Sequence, residues 1–430
     1  SNMTRMKDSG IEWIGEVPEE WGIKPIKHIF GAIGSGTTPD SSKVEYYDGN
    51  INWLQSGDLY KKDYVYAVSK TITDLGYRSS ASLRIYQAPF LAIAMYGASI
   101  GNLAISKIDA CVNQAVAVLK GEENIVRFAK LALEISKTEL IFAAQGGTQP
   151  NINQVLIKNW VIPFPSEIEI KKIADFLDKK VAQLDKIKSL LEEQIKTLED
   201  YRKSLIYETV TKGLDKTVPL KDSGVDWIGQ IPEGWEVGRL KDFVKFQTGT
   251  TPPQSVGVNQ DESGIPWFKP GDFSDNSIDL LSSENHITHE VVMQYNLSVY
   301  PKKTILLVGI ASIGKVGYSA QPSYSNQQIT ALRTIGEIYP RYLAYLMFSS
   351  GRFIKETAFY TVVPIINNQY LATMRLVLPS ENEQKIIVEY LDRKLEQTNQ
   401  MIAIKKEQIE NINKQRQTLI YDYVTGKRRV

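Results

Sequence analysis

The stretch DSGIEWIGEVPEEW, at Asp8–Trp21, shows how the chain is organised, because a close copy of it occurs a second time. It returns as DSGVDWIGQIPEGW at Asp222–Trp235, about half of the 430-residue chain further on. A fixed internal period is the sequence signature of a repeated architecture. The sequence therefore predicts one structural unit of roughly half the chain, written twice.

Shorter motifs recur at nearly the same offset and in the same order. GTTP occurs in both halves, as do a tryptophan followed by Gly-Asp and an Asn-Gln pair. Their positions are Gly36–Pro39 and Gly249–Pro252, Trp53 with Gly57-Asp58 and Trp267 with Gly271-Asp272, and Asn113-Gln114 and Asn326-Gln327. Matches in one order at one offset indicate a true repeat with the same frame in both halves.

Each repeat has two parts of different composition. Short β-rich runs broken by Gly, Pro, Ser and Asn predict an α/β (α+β) globular domain, with a helix late in each, at Ile125–Ala143 and Tyr339–Thr357. A Pro-Ser pair then leads into a long segment without Gly or Pro, which predicts a long helix. The predicted boundaries are domain one at 1–165, helix one at 166–213, domain two at 214–379 and helix two at 380–430.

The long helices have the spacing of a coiled coil. In helix one, apolar residues recur every seventh position, and a second set follows three residues later. The first set is Ile170, Leu177, Leu184, Leu191, Leu198 and Leu205, and the second is Ile173, Ile187 and Tyr201. Because a long seam needs a partner, the sequence predicts two antiparallel helices between two globular domains. The C-terminal helix is then expected to end where the Asp8–Trp21 segment begins.

Composition excludes several classes of protein. Fifty basic against 49 acidic residues leave a net charge of +1, and each predicted region is close to neutral by itself, so a polycationic nucleic-acid coat is excluded. One cysteine, Cys111, is typical of a reducing compartment and favours a cytoplasmic protein. The uncharged stretch Gln87–Ser106 contains Pro and Gly and favours two strands with a turn over a membrane span.

Taken together, these motifs resemble the specificity subunit of type I restriction-modification systems. The resemblance rests on two α/β domains that each carry GTTP and Asn-Gln elements, followed by a Pro-Ser entry into a long helix, and it covers residues 8 to 427. It implies two target recognition domains, each reading one half of a split, asymmetric site in double-stranded DNA. The helices would act as a ruler between the two halves.

The resemblance also implies partners and the absence of chemistry in this chain. The helices would dock two methyltransferase (modification) subunits that bind S-adenosylmethionine. Restriction (motor-nuclease) subunits, using ATP and Mg²⁺, would join them. No catalytic residue, cofactor or metal is expected in this chain. Because its domains are neutral, the methyltransferase partners are expected to supply much of the contact with DNA phosphates.

Candidate DNA contacts are mixed basic, aromatic and hydroxyl residues near the repeated frame. Lysines suit phosphates, whereas amides and aromatics meet bases. In the first domain the candidates are Thr37, Thr38, Gln55, Tyr60, Lys61, Lys62, Tyr64 and Tyr66; in the second they are Thr250, Thr251, Lys269, Asp272, Asn276, Lys302 and Lys303. Each has a structural alternative, as a strand edge, a turn or a solubilising charge, and the repeated Asn-Gln pairs favour a structural role over base reading.

The sequence gives little support for nucleotide binding or catalysis by this chain. GIASIGKV at Gly309–Val316 approaches a phosphate-binding loop, but Val316 replaces the required Ser or Thr. Two further hypotheses remain open at this stage. One is a helical scaffold whose domains bind protein or glycan; the other, with the least support, is an enzyme.

Overall fold

The computed structural model describes residues 5–145, 150–253, 263–357, 359–360 and 364–430. The chain divides into two compact units. The first unit comprises Ser1–Leu190 together with Glu407–Val430, and the second comprises Leu191–Lys406. Each unit thus joins a globular domain to parts of both long helices, and the first is discontinuous in sequence.

The first domain is a mixed α/β structure. Its strands are β1 (Met6–Asp8), β2 (Glu16–Pro18), β3 (Gly22–Pro25), β4 (Ala32–Gly34), β5 (Tyr47–Leu54), β6 (Tyr64–Val65), β7 (Lys70–Ile72), β8 (Phe90–Ala94), β9 (Leu103–Ser106), β10 (Cys111–Val112), β11 (Val116–Lys120) and β12 (Val161–Phe164). Its helices are α1 (Asp74–Arg78), α2 (Glu123–Ile135), α3 (Lys137–Ala143) and α4 (Gln154–Asn159), and the long helix α5 (Glu167–Lys212) follows.

Two sheets organise this domain. One has the order β4-β11-β8-β9-β6, and the other has the order β10-β5-β7. Strands β8 and β9 pair antiparallel, with Phe90 opposite Ser106, which confirms the two strands expected in the uncharged stretch. The helix expected at Ile125–Ala143 is instead divided at Ser136. There the serine hydroxyl donates to the Ala132 carbonyl and accepts from the Trp160 indole.

The second domain repeats this architecture. Its strands are β13 (Leu220–Asp222), β14 (Gln230–Pro232), β15 (Glu236–Arg239), β16 (Val244–Thr248), β17 (Ile265–Phe268), β18 (Asn285–Ile287), β19 (Thr304–Val308), β20 (Val316–Ser319), β21 (Tyr324–Ser325), β22 (Ile329–Thr334), β23 (Phe359–Tyr360), β24 (Pro364–Ile365) and β25 (Arg375–Leu378). Its helices are α6 (His289–Gln294), α7 (Pro340–Thr357) and α8 (Asn368–Thr373), and the long helix α9 (Glu381–Val424) follows. The main sheets are ordered β16-β22-β19-β20 and β18-β17-β21.

Within each unit the long helices run antiparallel. In the first unit the rings of Phe176 and Tyr423 lie 4.6 Å apart, and Arg416 donates to Asp185 at 3.1 Å. In the second unit Lys405 donates to Gln194 at 2.7 Å, and Arg202 donates to Asn399. Within each unit, later residues of α5 thus contact earlier residues of α9.

The seam of α5 differs from the expected spacing in its second set of positions. Ile187 and Tyr201 are 48% and 45% exposed, so they lie outside the seam. Val181 and Ile195 are buried instead, each four residues after Leu177 or Leu191. Ile173, three residues after Ile170, is buried as expected, so the seam keeps the three-residue step at its start and follows a four-residue step at Val181 and Ile195.

The end of each long helix closes on the start of a domain. Tyr421, near the end of α9, donates its hydroxyl to the Ile14 carbonyl at 3.1 Å. Its repeat counterpart Tyr207, near the end of α5, donates to the Trp227 carbonyl at 2.9 Å. The expectation that the C-terminal helix ends where Asp8–Trp21 begins is confirmed.

Candidate nucleic-acid interface

In the first domain, two parallel strands bring the GTTP and Asn-Gln motifs to one edge. Strands β5 and β10 pair with Trp53 opposite Cys111, and the Asn113 amide donates to the Leu54 carbonyl at 3.1 Å. The next residues, Gln55 and Gln114, therefore leave the sheet at the same edge. We call this place, where both parallel strands end, the strand-end edge.

The second domain has the same edge. Strands β17 and β21 pair in parallel with Trp267 opposite Tyr324, and the Asn326 amide donates to the Phe268 carbonyl at 3.1 Å. Lys269 and Gln327 follow these strands. The frame is repeated, but lysine stands where the first domain has Gln55.

The GTTP loop is fastened onto this edge. In the first domain the Thr38 hydroxyl donates to Gln114 Oε1 at 2.7 Å, and the Trp53 indole donates to the Thr37 carbonyl at 3.2 Å. The corresponding bonds of the second domain are Thr251 to Gln327 at 2.7 Å and Trp267 to Thr250 at 3.3 Å. In both domains the second threonine of GTTP is thus bonded to the side-chain amide of the glutamine in the Asn-Gln pair.

A glycine lets each loop approach the strand this closely. A Cβ at Gly36 would lie 1.8 Å from the Val112 carbonyl oxygen, and one at Gly249 would lie 1.9 Å from that of Ser325. No side chain fits at those distances. The first residue of the repeated GTTP motif must therefore be glycine for steric reasons.

The asparagines of the Asn-Gln pairs serve the backbone. Asn113 Oδ1 accepts from the Ala115 amide at 3.1 Å, and Asn326 Oδ1 accepts from the Gln328 amide at 3.0 Å. The glutamines next to them, Gln114 and Gln327, are exposed. The sequence alone does not separate these glutamines from the asparagines as candidate contacts, although both glutamines recur directly after a predicted strand.

In each domain an aspartate side chain accepts a hydrogen bond from the backbone amide of the residue that differs between the domains, Gln55 or Lys269. In the first domain Asp58 accepts from the amides of Gln55 and Ser69, each at 2.9 Å. In the second, Asp272 accepts from the amide of Lys269 at 2.9 Å and from that of Glu284 at 3.1 Å. Asp272, a candidate contact in the sequence, is thus engaged in shaping the turn.

The aromatic and basic segment of the first domain is divided between two environments. Tyr60 and Tyr66 are 60% and 70% exposed, and Lys61 and Lys62 are exposed as well. Tyr64 is half-buried, and its hydroxyl donates to Asp178 of the long helix α5 at 3.4 Å. The structure therefore leaves four of these side chains accessible and turns Tyr64 toward the helix.

The remaining candidates of the second domain lie apart from the strand-end edge. Lys302 and Lys303 precede the first residue of β19, whereas Gln328 bonds to Gly309 just beyond the last residue of β19. Asn276 lies at a cavity of about 230 Å³ beside Arg341 and the long helix α9. The structure thus groups Thr250, Thr251 and Lys269, but not the other three candidates.

An arginine in each unit joins the domain to a long helix. In the first unit Arg127 donates to Asp178 at 2.6 Å and to Asp175 at 2.8 Å. In the second, Arg341 donates to Asp392 at 2.9 Å and to Asp279 at 2.6 Å. Burial lowers the pKa of each arginine, but hydrogen bonds to the carboxylates raise it more, so both pKa values lie above the ordinary range.

Neither a metal centre nor a membrane span is found in the described part of the chain. Its His, Cys, Asp and Glu side chains form no cluster of three that could hold a metal ion. Within the same residues, no helix has the length and apolar character needed to cross a membrane.

Comparison with known proteins gives the family. The family model for the type I restriction modification DNA specificity domain matches this chain twice, at residues 18–198 and 232–411. The chain belongs to this family. It is a type I restriction-modification specificity subunit.

Known specificity subunits align with this chain to different extents. The putative type I restriction enzyme MjaX specificity subunit of Methanocaldococcus jannaschii is 25% identical over 97% of this chain and 96% of its own length. The MjaIX specificity subunit of the same organism is 27% identical over 68% of this chain and 67% of its own. The EcoR124I/EcoR124II specificity subunit of Escherichia coli is 28% identical over 54% and 55%.

Solved structures show the same fold. A structure from a study of assembly and conformational transition in the type I R-M system has a TM-score of 0.74 at 16% identity, covering 95% of this subunit and 98% of that chain. The HsdS subunit of Thermoanaerobacter tengcongensis has a TM-score of 0.50 at 16% identity, covering 96% and 98%. The expected fold of two recognition domains with coiled-coil linkers is confirmed.

Proposed function

We propose that this specificity subunit reads a bipartite, asymmetric site in double-stranded DNA, with one half read by each recognition domain. The observation that carries the proposal is the strand-end edge, which has the same frame in both domains but Gln55 in one and Lys269 in the other. Glutamine pairs with the edge of adenine, whereas lysine donates to the acceptors of guanine. A shared frame with unlike side chains supports two unlike half-sites.

The proposed contact set consists of candidate side chains that are exposed or partly exposed. In the first domain they are Thr37, Thr38, Gln55, Tyr60, Lys61, Lys62 and Tyr66. Tyr64, bonded to Asp178, is proposed to hold the segment on the helix rather than to contact DNA directly. In the second domain Thr250, Thr251 and Lys269 form the central set, and Asn276, Lys302 and Lys303 are proposed as outlying contacts.

We propose that the long helices dock two methyltransferase subunits. Ile187 and Leu190 of α5 are each 48% exposed, and their repeat counterparts Met401 and Ile404 of α9 are 48% and 56% exposed. Residues three apart share a helix face, so each pair forms a small apolar patch. A patch that occurs once in each unit suits two copies of one partner.

In the first unit the apolar patch borders a groove. The groove has a volume of about 540 Å³, with Leu184, Ile187 and Leu419 as its apolar lining. Lys180 and Lys414 also line it. An apolar floor beside charged side chains is typical of a protein-docking surface.

The partners are proposed to supply the chemistry. The methyltransferase subunits would bind S-adenosylmethionine, and restriction subunits would use ATP and Mg²⁺ to cut unmodified DNA. This chain would be non-catalytic, would act in the cytoplasm and would set the separation of the half-sites through the length of its helices.

The experiment is to map which adenines are modified by the complex of this subunit with its methyltransferase partner. We expect one two-part motif with a fixed number of unspecified bases between its halves. Replacement of residues 59–89 by those of another recognition domain should change one half alone. Lys269→Gln should change the other half alone. If no two-part motif emerges from genomic DNA, the proposal fails, and a scaffold that binds protein or glycan becomes the better hypothesis.

A further inference from the structure

Gln114 and Gln327 occupy equivalent places at the two strand-end edges, and both are exposed. In each, Oε1 accepts a hydroxyl hydrogen bond at 2.7 Å, from Thr38 or from Thr251. Within the described residues, neither Nε2 has a hydrogen-bond partner. Each side chain is thus oriented by its carbonyl oxygen and presents two N–H donors to the surroundings.

The supports behind these glutamines are the same in both domains. Each threonine lies in a loop that is held by a glycine without room for a Cβ and by a tryptophan indole. The neighbouring position differs, with Gln55 in the first domain and Lys269 in the second. The edge therefore combines one constant donor with one variable side chain.

The constant donor is poorly suited to base reading. A glutamine reads adenine with its carbonyl oxygen and its N–H together, but here the oxygen is engaged by the threonine. An identical group in both domains also cannot distinguish two unlike half-sites. A phosphate oxygen is an acceptor that occurs at every step of DNA, whatever the sequence.

We propose that Gln114 and Gln327 each donate a side-chain N–H to a phosphate of the DNA backbone, one in each half-site. The contact fixes the register of a domain on the duplex, and the variable neighbours then meet the bases. Within the contact set, Thr38 and Thr251 act as positioning residues, because their hydroxyls donate to the glutamine oxygens and hold the amides in this orientation. The inference rests on the proposed function, because it requires that both domains bind DNA.

The test uses the full subunit in complex with its methyltransferase partner, on a cognate duplex and on a scrambled one. Gln114→Leu is expected to weaken binding to both duplexes about ten- to a hundred-fold, as the loss of one hydrogen bond to a charged acceptor would. The mapped motif should stay the same. Thr38→Val should weaken binding to a similar extent, and the double variant should lose little more than either single variant, because both changes remove one contact.

A variant that gains a positive charge distinguishes a contact to phosphate from a contact to a base. A neutral amide releases no counterion, so Gln114→Leu should leave the salt dependence of binding unchanged. Gln114→Lys and Gln327→Lys should each steepen the plot of log affinity against log salt by about 0.9. The matched control for Gln327→Lys is Gln230→Lys in the same domain, at an exposed glutamine of β14 whose backbone carbonyl accepts from Lys212 at the end of α5 and where no DNA contact is proposed.

Three results would decide against the phosphate contact. These are a changed motif in Gln114→Leu, equal behaviour of the Gln327→Lys and Gln230→Lys variants, and full additivity of Thr38→Val with Gln114→Leu. The proposed function fails on a different result, which is the absence of any two-part motif in the unmodified complex.

Discussion

Arg341 donates to Asp392 at 2.9 Å and thereby joins helix α7 of the second domain to the long helix α9. The same arginine donates to Asp279 at 2.6 Å. Asp279 lies within residues 273–301, a divergent segment that shows little sequence similarity to residues 59–89 of the first domain. In the first unit Arg127 makes the equivalent bond to Asp178, and the hydroxyl of Tyr64 completes that site. Each divergent segment is thus fastened to a long helix through the same arginine–aspartate pair.

Arg341→Met is expected to destabilise the protein, because it leaves two partly buried carboxylates without their cation. The side chain of Arg341 is 18% exposed, whereas those of Asp279 and Asp392 are 37% and 40% exposed, so the loss should be about 2 kcal/mol rather than the full cost of a buried pair. For a unit of this size that corresponds to a fall of about 4–8 °C in the midpoint of thermal unfolding.

The control for this prediction is Arg352→Met on the same helix. Its ion pair with Glu356 has the i,i+4 spacing, and the Arg352 side chain is 90% exposed. Such exposed pairs add little to stability, so the midpoint should fall much less than in Arg341→Met. Equal shifts in the two variants would show that the Arg341 site adds no more than a surface pair.

Much of the fold follows from the sequence, because an internal repeat and a long run without Gly or Pro are visible without any structure. The details of the helix seam do not follow. Heptad spacing identified Ile170 and Leu177 correctly, but Ile187 and Tyr201 also match a hydrophobic period and are exposed. Periodicity shows which residues are apolar at regular intervals, whereas burial depends on where the partner helix lies.

Gly249→Ala is expected to disrupt the GTTP loop of the second domain. Its Cβ would lie 1.9 Å from the Ser325 carbonyl oxygen, which is backbone and cannot move aside without shifting β21. Forcing an atom into such a site costs about 1–3 kcal/mol. We expect a midpoint lower by several degrees and weaker DNA binding of the complex.

Gly271→Ala is the matched control in the same domain, since a Cβ there meets nothing within 4 Å. Its thermal midpoint should stay close to that of the unmodified protein. In the first domain Gly36→Ala and Gly57→Ala form the corresponding pair. A Cβ at Gly36 would lie 1.8 Å from the Val112 carbonyl oxygen, whereas one at Gly57 would meet nothing within 4 Å. A stable Gly249→Ala variant with normal binding would show that the loop has room to move.

Cys111 is expected to be unreactive in the folded protein. It lies in strand β10 with no exposed surface, and burial raises the pKa of its thiol from 9.0 to about 11. Because the thiolate is the reacting form, about one thiol in a thousand is ionised at pH 8, against about one in ten at the ordinary value. Alkylation by iodoacetamide at pH 8 should be slow in the native state and at least about a hundred-fold faster in urea. A native rate that rises to its plateau near pH 9 would contradict the assigned environment.

The candidate interface follows from the sequence only in part. Recurrence of the GTTP and Asn-Gln motifs marked both as important, but only the parallel pairing of β5 with β10 brings Thr38 to Gln114. Strand partners far apart in sequence are set by packing, which a single sequence does not display. Lys302 and Lys303 are candidates on charge alone, and charge does not tell at which end of a strand a residue lies.

The two apolar patches on the long helices should each bind one methyltransferase subunit. Ile187→Gln with Leu190→Gln, both in the first unit, is expected to reduce the complex from two partner copies to one. Met401→Gln with Ile404→Gln should do the same from the second unit, and combining all four changes should remove both copies. Burial of one such patch contributes about 2–3 kcal/mol to docking. Losing it therefore lowers the affinity for the methyltransferase subunit by about thirty- to a hundred-fold.

Mass photometry of the purified complex would count the bound copies, and circular dichroism would verify that the helices persist. Val44→Gln is the control, because Val44 is 80% exposed on the first recognition domain and away from the helices. It should leave two copies bound. Loss of both copies from a change at one patch would indicate a single shared docking surface, whereas no loss from the four combined changes would place docking elsewhere on the subunit.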